Sequence, residues 1–269
     1  MAFPQKTHRR VSILGIHFSF VPRHKVYEGI SNMAQQGLPG YVCVSNVHTT
    51  MTAYWDHAYR EVQNKSTFTV PDGVPLVWAM NLLRPRNMSP QDRVRGPTMM
   101  RELCKQTGFR HYLFGGTPEA LRTLEEYLHK EYPGIVIAGS ESPPFRPSWT
   151  EPELEAAVAR MKDSGANIVW VGLGAPKQER WMGAASKYNP PFLMGIGAAF
   201  DFLPGLVPEA PAWMQAGGLE WLYRLMKEPR RLWRRYLFNN PAFMVFFAFQ
   251  WLGSLLFRRN YLCESSARE

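Results

Sequence analysis

Short apolar runs alternate with longer amphipathic segments along most of the chain. The runs are rich in β-branched or aromatic residues, and several end in glycine, as buried strands do. They cover residues 11–16, 41–45, 111–114, 135–138, 168–172 and 192–197. Residues 118–131 and 150–164 have the apolar spacing of helices, and Thr150 is a candidate N-cap with Glu153 three residues later. The alternation predicts an α/β fold with a Rossmann-like, mostly parallel sheet and helices on both faces.

The pattern changes after Gly205, where the predicted strands stop and arginine-rich, aromatic, helical sequence begins. We therefore divide the chain into an α/β domain at residues 1–207 and a helical C-terminal appendage at residues 208–269. Within the first part, residues 141–149 contain Pro143, Pro144 and Pro147 and are predicted to form a loop.

Residues 236–257 contain no charged side chain, and Arg258 and Arg259 follow them. The stretch reaches the roughly 20 residues that a membrane-spanning helix needs. Polar residues and a proline interrupt it, and positive charge flanks both ends. Three interpretations stay open: a helix lying in the membrane interface, a helix packed in the core or against a second copy, and a true span. Nearby tryptophans and arginines favour the interface, so the appendage is predicted to bind the membrane surface.

The formal net charge is +9 and the sequence pI is about 9.6. A basic balance suits anionic lipid, phosphorylated small molecules or nucleic acid. RNA-stacking and helix-turn-helix patterns are missing from the sequence, so nucleic acid is not expected as a partner. Much of the excess positive charge lies in one short segment, which contains Arg224, Lys227, Arg230, Arg231, Arg234 and Arg235.

The three cysteines, Cys43, Cys104 and Cys263, are widely spaced and show no metal-ligand pattern. A disulfide framework or a structural zinc site is therefore not expected, and reduced thiols in a cytoplasmic protein are the default. The N-terminal basic residues precede an apolar run that is too short for a signal peptide, so export is not expected.

The first candidate for chemistry is Asp72, which follows a β-type run and precedes Gly73. Ligands of open α/β folds bind at the carboxyl edge of the sheet, where an aspartate can accept a proton as general base. Pro-Asp-Gly is also ordinary turn chemistry, and this alternative stays open. Asn46, at the end of an earlier strand, has the same two interpretations: it orients a substrate, or it terminates the strand.

Two glycine-rich segments follow later strands. In the first, Gly174 precedes Lys177 and Gln178 at a predicted helix start, where free backbone N–H groups favour a phosphate. The alternative is an ordinary strand–helix turn. In the second, small residues precede Asp201, which either hydrogen-bonds a ribose or sugar hydroxyl or caps a helix. The first segment lacks the third glycine of the dinucleotide fingerprint and does not have the Walker spacing.

A metal site is not expected, because the sequence lacks the Asp-x-Asp pair that holds a divalent ion against a diphosphate. His48 and His57 lack ligand spacing and are expected to be surface or hydrogen-bonded histidines. No cofactor is expected either. A diphosphate would instead need positive side chains, which the arginine-rich segment provides, although that segment also suits anionic lipid or a solvated helix face.

Taken together and in chain order, these motifs resemble the WecG/TagA/CpsF family of bacterial glycosyltransferases, over roughly residues 10–237. Several spaced blocks in the family order are far more specific than any one of them. The matching segments are Asn46, Asp72-Gly73, Arg93-Val94-Arg95-Gly96, Gly115-Gly116 and residues 172–179, 195–205, 210–215, 218–224 and 228–231.

The resemblance implies transfer of an N-acetylmannosamine-type or related hexose from a UDP-sugar to an undecaprenyl-diphosphate-linked saccharide, at the inner face of the cell membrane. It implies no metal, and it makes Asp72 the expected catalytic base. Deprotonation of the acceptor hydroxyl during attack on the anomeric carbon would invert its configuration. The expected substrate-binding residues are Asn46, Gly73, Arg95, Gly174, Lys177, Gln178, Asp201, Arg224, Arg230, Arg231 and Arg234.

Three positions differ from the common family pattern. Val44 replaces a threonine, Thr98 replaces an acidic residue, and Glu209 replaces an arginine. Val44 and Glu209 favour an alternative, a non-catalytic membrane-associated subunit of a polysaccharide assembly complex, whereas Asp72 and Gln178 favour an enzyme. Self-association is a further possibility, because an exposed aromatic surface favours it when no membrane is present.

Overall fold

The computed structural model describes residues 8–85, 87–146, 148–257 and 261–263. The strands are β1 (Arg10–Ile13), β2 (Ile16–Ser19), β3 (Tyr41–Ser45), β4 (Phe68–Pro71), β5 (Arg110–Gly115), β6 (Val136–Glu141), β7 (Ile168–Gly172), β8 (Phe192–Gly195) and β9 (Leu262–Cys263). The helices are α1 (Arg23–Gln35), α2 (Val47–Trp55), α3 (His57–Lys65), α4 (Val74–Leu82), α5 (Gly96–Cys104), α6 (Pro118–Glu131), α7 (Glu151–Asp163), α8 (Lys177–Ala185), α9 (Ala199–Phe202), α10 (Ala212–Ala216), α11 (Glu220–Lys227) and α12 (Pro229–Phe257).

The central sheet has six strands in the order β4-β3-β8-β7-β5-β6, and every neighbouring pair is parallel. Alternate residues of a strand point to opposite faces, so Ile168 and Trp170 of β7 pack on one face and Val169 and Val171 on the other. Helices α1, α5 and α6 cover the first face, and α7 and α8 cover the second. The predicted α/β fold is confirmed.

Several predicted elements have the expected bounds. The strands at 41–45 and 168–172 and the helix at 118–131 match β3, β7 and α6 residue for residue. Thr150 precedes α7, and its backbone N–H donates to a Glu153 carboxylate oxygen over 2.9 Å, as the predicted N-terminal cap requires. The predicted proline-rich loop follows β6, and Pro147 lies outside the described residues.

The expectation of one strand at residues 11–16 is wrong. Leu14 and Gly15 adopt positive φ angles of 50° and 86°, which reverse the chain and divide the run into the antiparallel hairpin β1–β2. The hairpin is not part of the central sheet. It joins β9 in a small sheet of order β2-β1-β9, so the expectation that strands stop after Gly205 is also wrong.

Helix α12 packs one side against the hairpin and α2. Phe243 and Phe247 are buried in the same apolar cluster as Phe18 and Met51. The Gln250 amide group binds the end of β1 and the first residue of the turn, because it donates to the Ser12 carbonyl over 2.7 Å and accepts from the Leu14 N–H over 2.8 Å. The packed-helix interpretation of residues 236–257 therefore holds for this side of α12.

The opposite side of α12 is apolar and exposed, at Leu237, Phe238, Met244, Val245, Phe249, Leu252, Leu255 and Leu256. Among the residues that the structure describes, no helix combines the length and the apolar character needed to cross a bilayer. The boundary between residues 207 and 208 stays a prediction, and α12 on its far side contributes buried side chains to the fold.

Candidate active site

A cavity of about 470 Å³ opens at the carboxyl edge of the central sheet, where open α/β folds bind their ligands. One wall consists of the segments that follow β3, β4, β7 and β8, and the other consists of side chains from α11 and α12. A smaller cavity of about 80 Å³ adjoins it, between the starts of α2 and α4 and the same two helices. Asn46, Asp72, Glu220, Arg224 and Arg235 line both cavities.

Asp72 lies directly after β4, and its N–H donates to the Ser45 carbonyl of the neighbouring strand over 2.8 Å. Gly73 is the N-cap of α4, so Asp72 lies between the end of β4 and the start of α4, at the predicted edge of the sheet. The Asp72 side chain is 28% exposed, and its Oδ1 lies 3.3 Å from Nη2 of Arg93. Burial raises the pKa of Asp72, and the charges of Arg93, Arg95 and Arg224 oppose this rise.

An ion-pair network joins this region to the C-terminal helices. Arg93 Nη2 also lies 2.7 Å from Oε2 of Glu220 on α11, so two carboxylates share one guanidinium. Arg95 pairs with Glu209 at 2.8 Å and lies 3.6 Å from Glu220. Glu209, where the family commonly has an arginine, is thus held by a positive side chain. Of the two arginines in this network, Arg93 lines the small cavity and Arg95 lines the main one.

Asn46 ends its strand by capping the next helix and also lines both cavities, and its role in orienting a substrate stays a prediction. Its Oδ1 accepts from the His48 and Thr49 N–H groups over 3.0 and 3.2 Å and caps α2. The same oxygen lies 3.5 Å from Nη2 of Arg235, on the wall of both cavities. His48 pairs with Asn239 at 2.9 Å, and burial together with the Arg235 charge lowers its pKa to about 4, so it is neutral at pH 7.

The segment after β7 turns at Gly174, which has a φ of +76°, and continues into α8. Gln178, in the first turn of α8, is 3% exposed and lines the main cavity. Its Nε2 donates to Oε1 of Glu179 over 2.7 Å. Its Oε1 is buried and has no hydrogen-bond partner among the described residues. The helix start predicted to bind phosphate therefore also carries a buried carbonyl oxygen, Gln178 Oε1, without a hydrogen-bond partner in the described part of the chain.

A third cavity, of about 870 Å³, adjoins the main one on the side of β5. Aromatic and basic side chains line it, including Phe145, Trp149, Lys177 and Arg180. Lys177 Nζ lies 3.4 Å from the centroid of the Phe145 ring. Asp201 lines both the main and the aromatic cavity, and burial raises its pKa against the charges of nearby arginines.

A carboxylate of raised basicity thus lies in a cleft with several arginines, next to an aromatic chamber. Residues 11–256 match the glycosyl transferase WecG/TagA/CpsF family. The chain belongs to this family. It is a glycosyltransferase of cell-surface polysaccharide synthesis, as the family implies.

The structure brings together most of the residues expected to bind substrates in a member of this family. The main cavity is lined by Asn46, Asp72, Arg95, Gly174, Gln178, Asp201, Arg224 and Arg231. Gly73 lines the small cavity and Lys177 lines the aromatic one. Arg230 and Arg234 belong to none of these walls: Arg230 is exposed, and Arg234 lies 5.1 Å above the Trp233 ring. Their proposed contacts with substrate stay predictions.

Sequence reasoning missed two cavity residues of this family member, Arg235 and Glu220, and it missed the buried Glu179, which contacts Gln178. Arg235 lines both cavities, and burial lowers the pKa of its guanidinium. Its spacing of four from Arg231 would have indicated one helix face. Glu220 and the buried Glu179 gave no comparable signal, because a glutamate in an amphipathic helix is most often solvated.

Proposed function

We propose that the protein transfers a hexose, of the N-acetylmannosamine type or related to it, from a UDP-sugar to an undecaprenyl-diphosphate-linked saccharide. The observation that carries the proposal is the position of Asp72 between the main and the small cavity, among arginines. A base in that position has the donor sugar on one side, in the main cavity, and the acceptor hydroxyl on the other, in the small cavity. Its raised pKa increases its basicity towards a sugar hydroxyl.

The proposed UDP-sugar donor would occupy the main cavity and the aromatic cavity together. Trp149 and Phe145 offer ring faces to a nucleobase, and Asp201, between the two chambers, can accept hydrogen bonds from ribose hydroxyls. Arg224, Arg231 and Arg235 supply positive charge beside the leaving diphosphate. The proposed mechanism therefore uses no metal ion.

The acceptor hydroxyl suits the small cavity, which Trp221 and Tyr236 line beside Asp72. Asp72 takes the hydroxyl proton as the oxygen attacks the anomeric carbon. The bond from that carbon to the diphosphate oxygen breaks, and UDP leaves with the electron pair. One displacement from the face opposite the leaving group inverts the anomeric configuration.

The lipid-linked acceptor requires access from a membrane. The exposed apolar side of α12, with Trp213 and Trp233 exposed nearby, suits the interfacial region of a bilayer. The exposed Arg230 and Arg234 suit anionic headgroups. We expect peripheral attachment at the inner face of the cell membrane, with a second copy of the chain as the other candidate to cover this side.

The test is UDP release by the purified protein in the presence of a short-chain lipid-diphosphate saccharide and a panel of UDP-hexoses and UDP-N-acetylhexosamines. We expect turnover with one donor and no release without acceptor. If UDP binds but no donor in the panel turns over, the non-catalytic assembly subunit would be favoured over the enzyme. If UDP does not bind at all, the proposed donor site is wrong.

A further inference from the structure

A buried carboxyl group that the proposed mechanism does not use lies behind the main cavity. Glu179 is 1% exposed. Its Oε2 accepts from the Tyr59 hydroxyl over 3.1 Å, and its Oε1 accepts from Gln178 Nε2 over 2.7 Å. Burial raises the pKa of Glu179, while these two donors and the charge of Arg235 oppose the rise. Both carboxylate oxygens thus act as acceptors.

This contact has a consequence for the other end of the Gln178 amide. A primary amide has a donor end and an acceptor end, and a carboxylate only accepts. With its NH2 group turned to Glu179, Gln178 must direct Oε1 away from it. A Cβ atom built on Gly197, which lines the main cavity, would lie 3.3 Å from Oε1. The partnerless oxygen is therefore close to the space that a ligand would fill.

We infer that Glu179 is a positioning residue that fixes the amide of Gln178, so that Oε1 accepts a hydrogen bond from a hydroxyl or amide N–H of the donor sugar. The inference rests on the proposed function. Gln178 lines the main cavity together with Asp72 and does not line the aromatic chamber, so its partner belongs to the sugar and not to the nucleobase. A sugar with no hydroxyl or N–H group facing Gln178 Oε1 would leave this buried oxygen unpaired, so it should bind more weakly than a sugar that has one.

Glu179→Gln tests the orientation. In this variant the Tyr59 hydroxyl can donate to the new carbonyl, which turns the new NH2 group towards Gln178. The Gln178 amide then inverts and presents NH2 to the sugar. Calorimetry would measure binding of UDP and of the UDP-sugar that the wild type binds most tightly among UDP-N-acetylmannosamine, UDP-N-acetylglucosamine and UDP-glucose. We expect the UDP-sugar to bind about tenfold more weakly, with UDP unchanged.

Tyr59→Phe is the matched control. It removes a hydrogen bond from the same buried carboxylate but leaves the charge that orients Gln178, so both ligands should bind within about twofold of wild type. A double-mutant cycle with Gln178→Ala adds a second check. If Glu179 acts only through Gln178, Glu179→Gln should have no further effect in the Gln178→Ala background.

Three results would overturn the inference: unchanged UDP-sugar binding by Glu179→Gln, an equal loss for UDP and UDP-sugar, or additive effects in the cycle. If Glu179→Gln does not fold, Glu179→Asp tests the same contact. Its shorter carboxylate should give a smaller loss that is confined to the UDP-sugar. Failure of the wild type to bind either ligand would instead contradict the proposed function, and the inference with it.

Discussion

At the scale of single residues, the basicity of the proposed base, Asp72, depends on a guanidinium that it shares with Glu220. Arg93 lies 3.3 Å from Asp72 and 2.7 Å from Glu220. Burial and the charge of Glu220 raise the pKa of Asp72, whereas Arg93 lowers it. Sharing Arg93 between two carboxylates therefore keeps Asp72 more basic than a dedicated ion pair would.

Glu220→Gln should move the acid limb of the kcat/KM–pH profile to lower pH. The substitution removes a negative charge that raises the pKa of Asp72 and leaves Arg93 to Asp72 alone. The carboxylate then stays ionised to lower pH, and the weaker base should also lower the plateau. The matched control is Glu209→Gln, because the ion pairs of Glu209 among the described residues are with Arg95 and Arg101 and not with Arg93. An acid limb that stays in place or moves up in Glu220→Gln would contradict this account.

The residue scale also separates what the sequence reveals from what it does not. Asp72 and Gln178 follow strand ends in a parallel fold, so their place at the sheet edge can be predicted from order alone. Glu179 follows Gln178 directly, but its carboxylate accepts a hydrogen bond from Tyr59, which is 120 residues away in sequence. No local pattern indicates such a contact.

At the scale of elements, α12 contributes to both the cavity wall and the apolar core. Near its start, Arg231 and Arg235, four residues apart, line the main cavity. On the preceding helix, α11, Lys227 instead lies over the Tyr223 ring at the surface. Phe243 and Phe247 continue α12 into the apolar cluster of the hairpin. One helix thus joins the cavity wall to the core.

Arg235→Met should lower kcat about 10- to 100-fold, because it removes a partly buried positive charge beside the leaving diphosphate. Steady-state UDP release with a water-soluble acceptor measures this. Lys227→Met removes an exposed charge from the neighbouring helix and should change kcat by less than about twofold. Equal losses in both variants would indicate a general effect of net charge and contradict a role for the cavity wall.

Element prediction succeeded where local pattern decides the structure and failed where a single backbone conformation does. Residues 168–172 are buried on both faces and form β7 as their composition predicts. The run at 11–16 is also mostly apolar, but Leu14 takes a left-handed conformation that non-glycine residues rarely adopt. Gly15 is a sign of that reversal in the sequence, but the apolar residues on both sides of it favour one continuous strand.

At the scale of the whole molecule, the N-terminal hairpin packs against the C-terminal elements β9 and α12, and α12 also lines the main cavity. Strand β9 pairs with β1, and Gln250 of α12 bonds to Ser12 of β1 and to Leu14 in the hairpin turn. These long-range pairings lie beyond a reading of local periodicity. The net charge of +9 pointed to an anionic partner but not to where it binds.

A double substitution on the exposed side of α12, Phe249→Glu with Leu256→Glu, tests membrane attachment. These side chains are 69% and 76% exposed, so the melting temperature should change little, while binding to phosphatidylglycerol vesicles should fall at least about tenfold. Val136→Glu, at an exposed apolar position on β6, is the control and should bind as the wild type does. Unchanged vesicle binding would contradict the proposal, and loss of a dimer without vesicle binding would favour a second copy as the partner.

The most direct test of the central claim is UDP release by Asp72→Asn, compared with wild type on the donor that the panel identifies. Asparagine keeps the size of the side chain and cannot take the acceptor proton. We expect kcat to fall about 10²- to 10⁴-fold while UDP binding and the melting temperature stay close to wild type. Turnover within a few fold of wild type would contradict the assignment of Asp72 as the base and move that role to another side chain of the cavity.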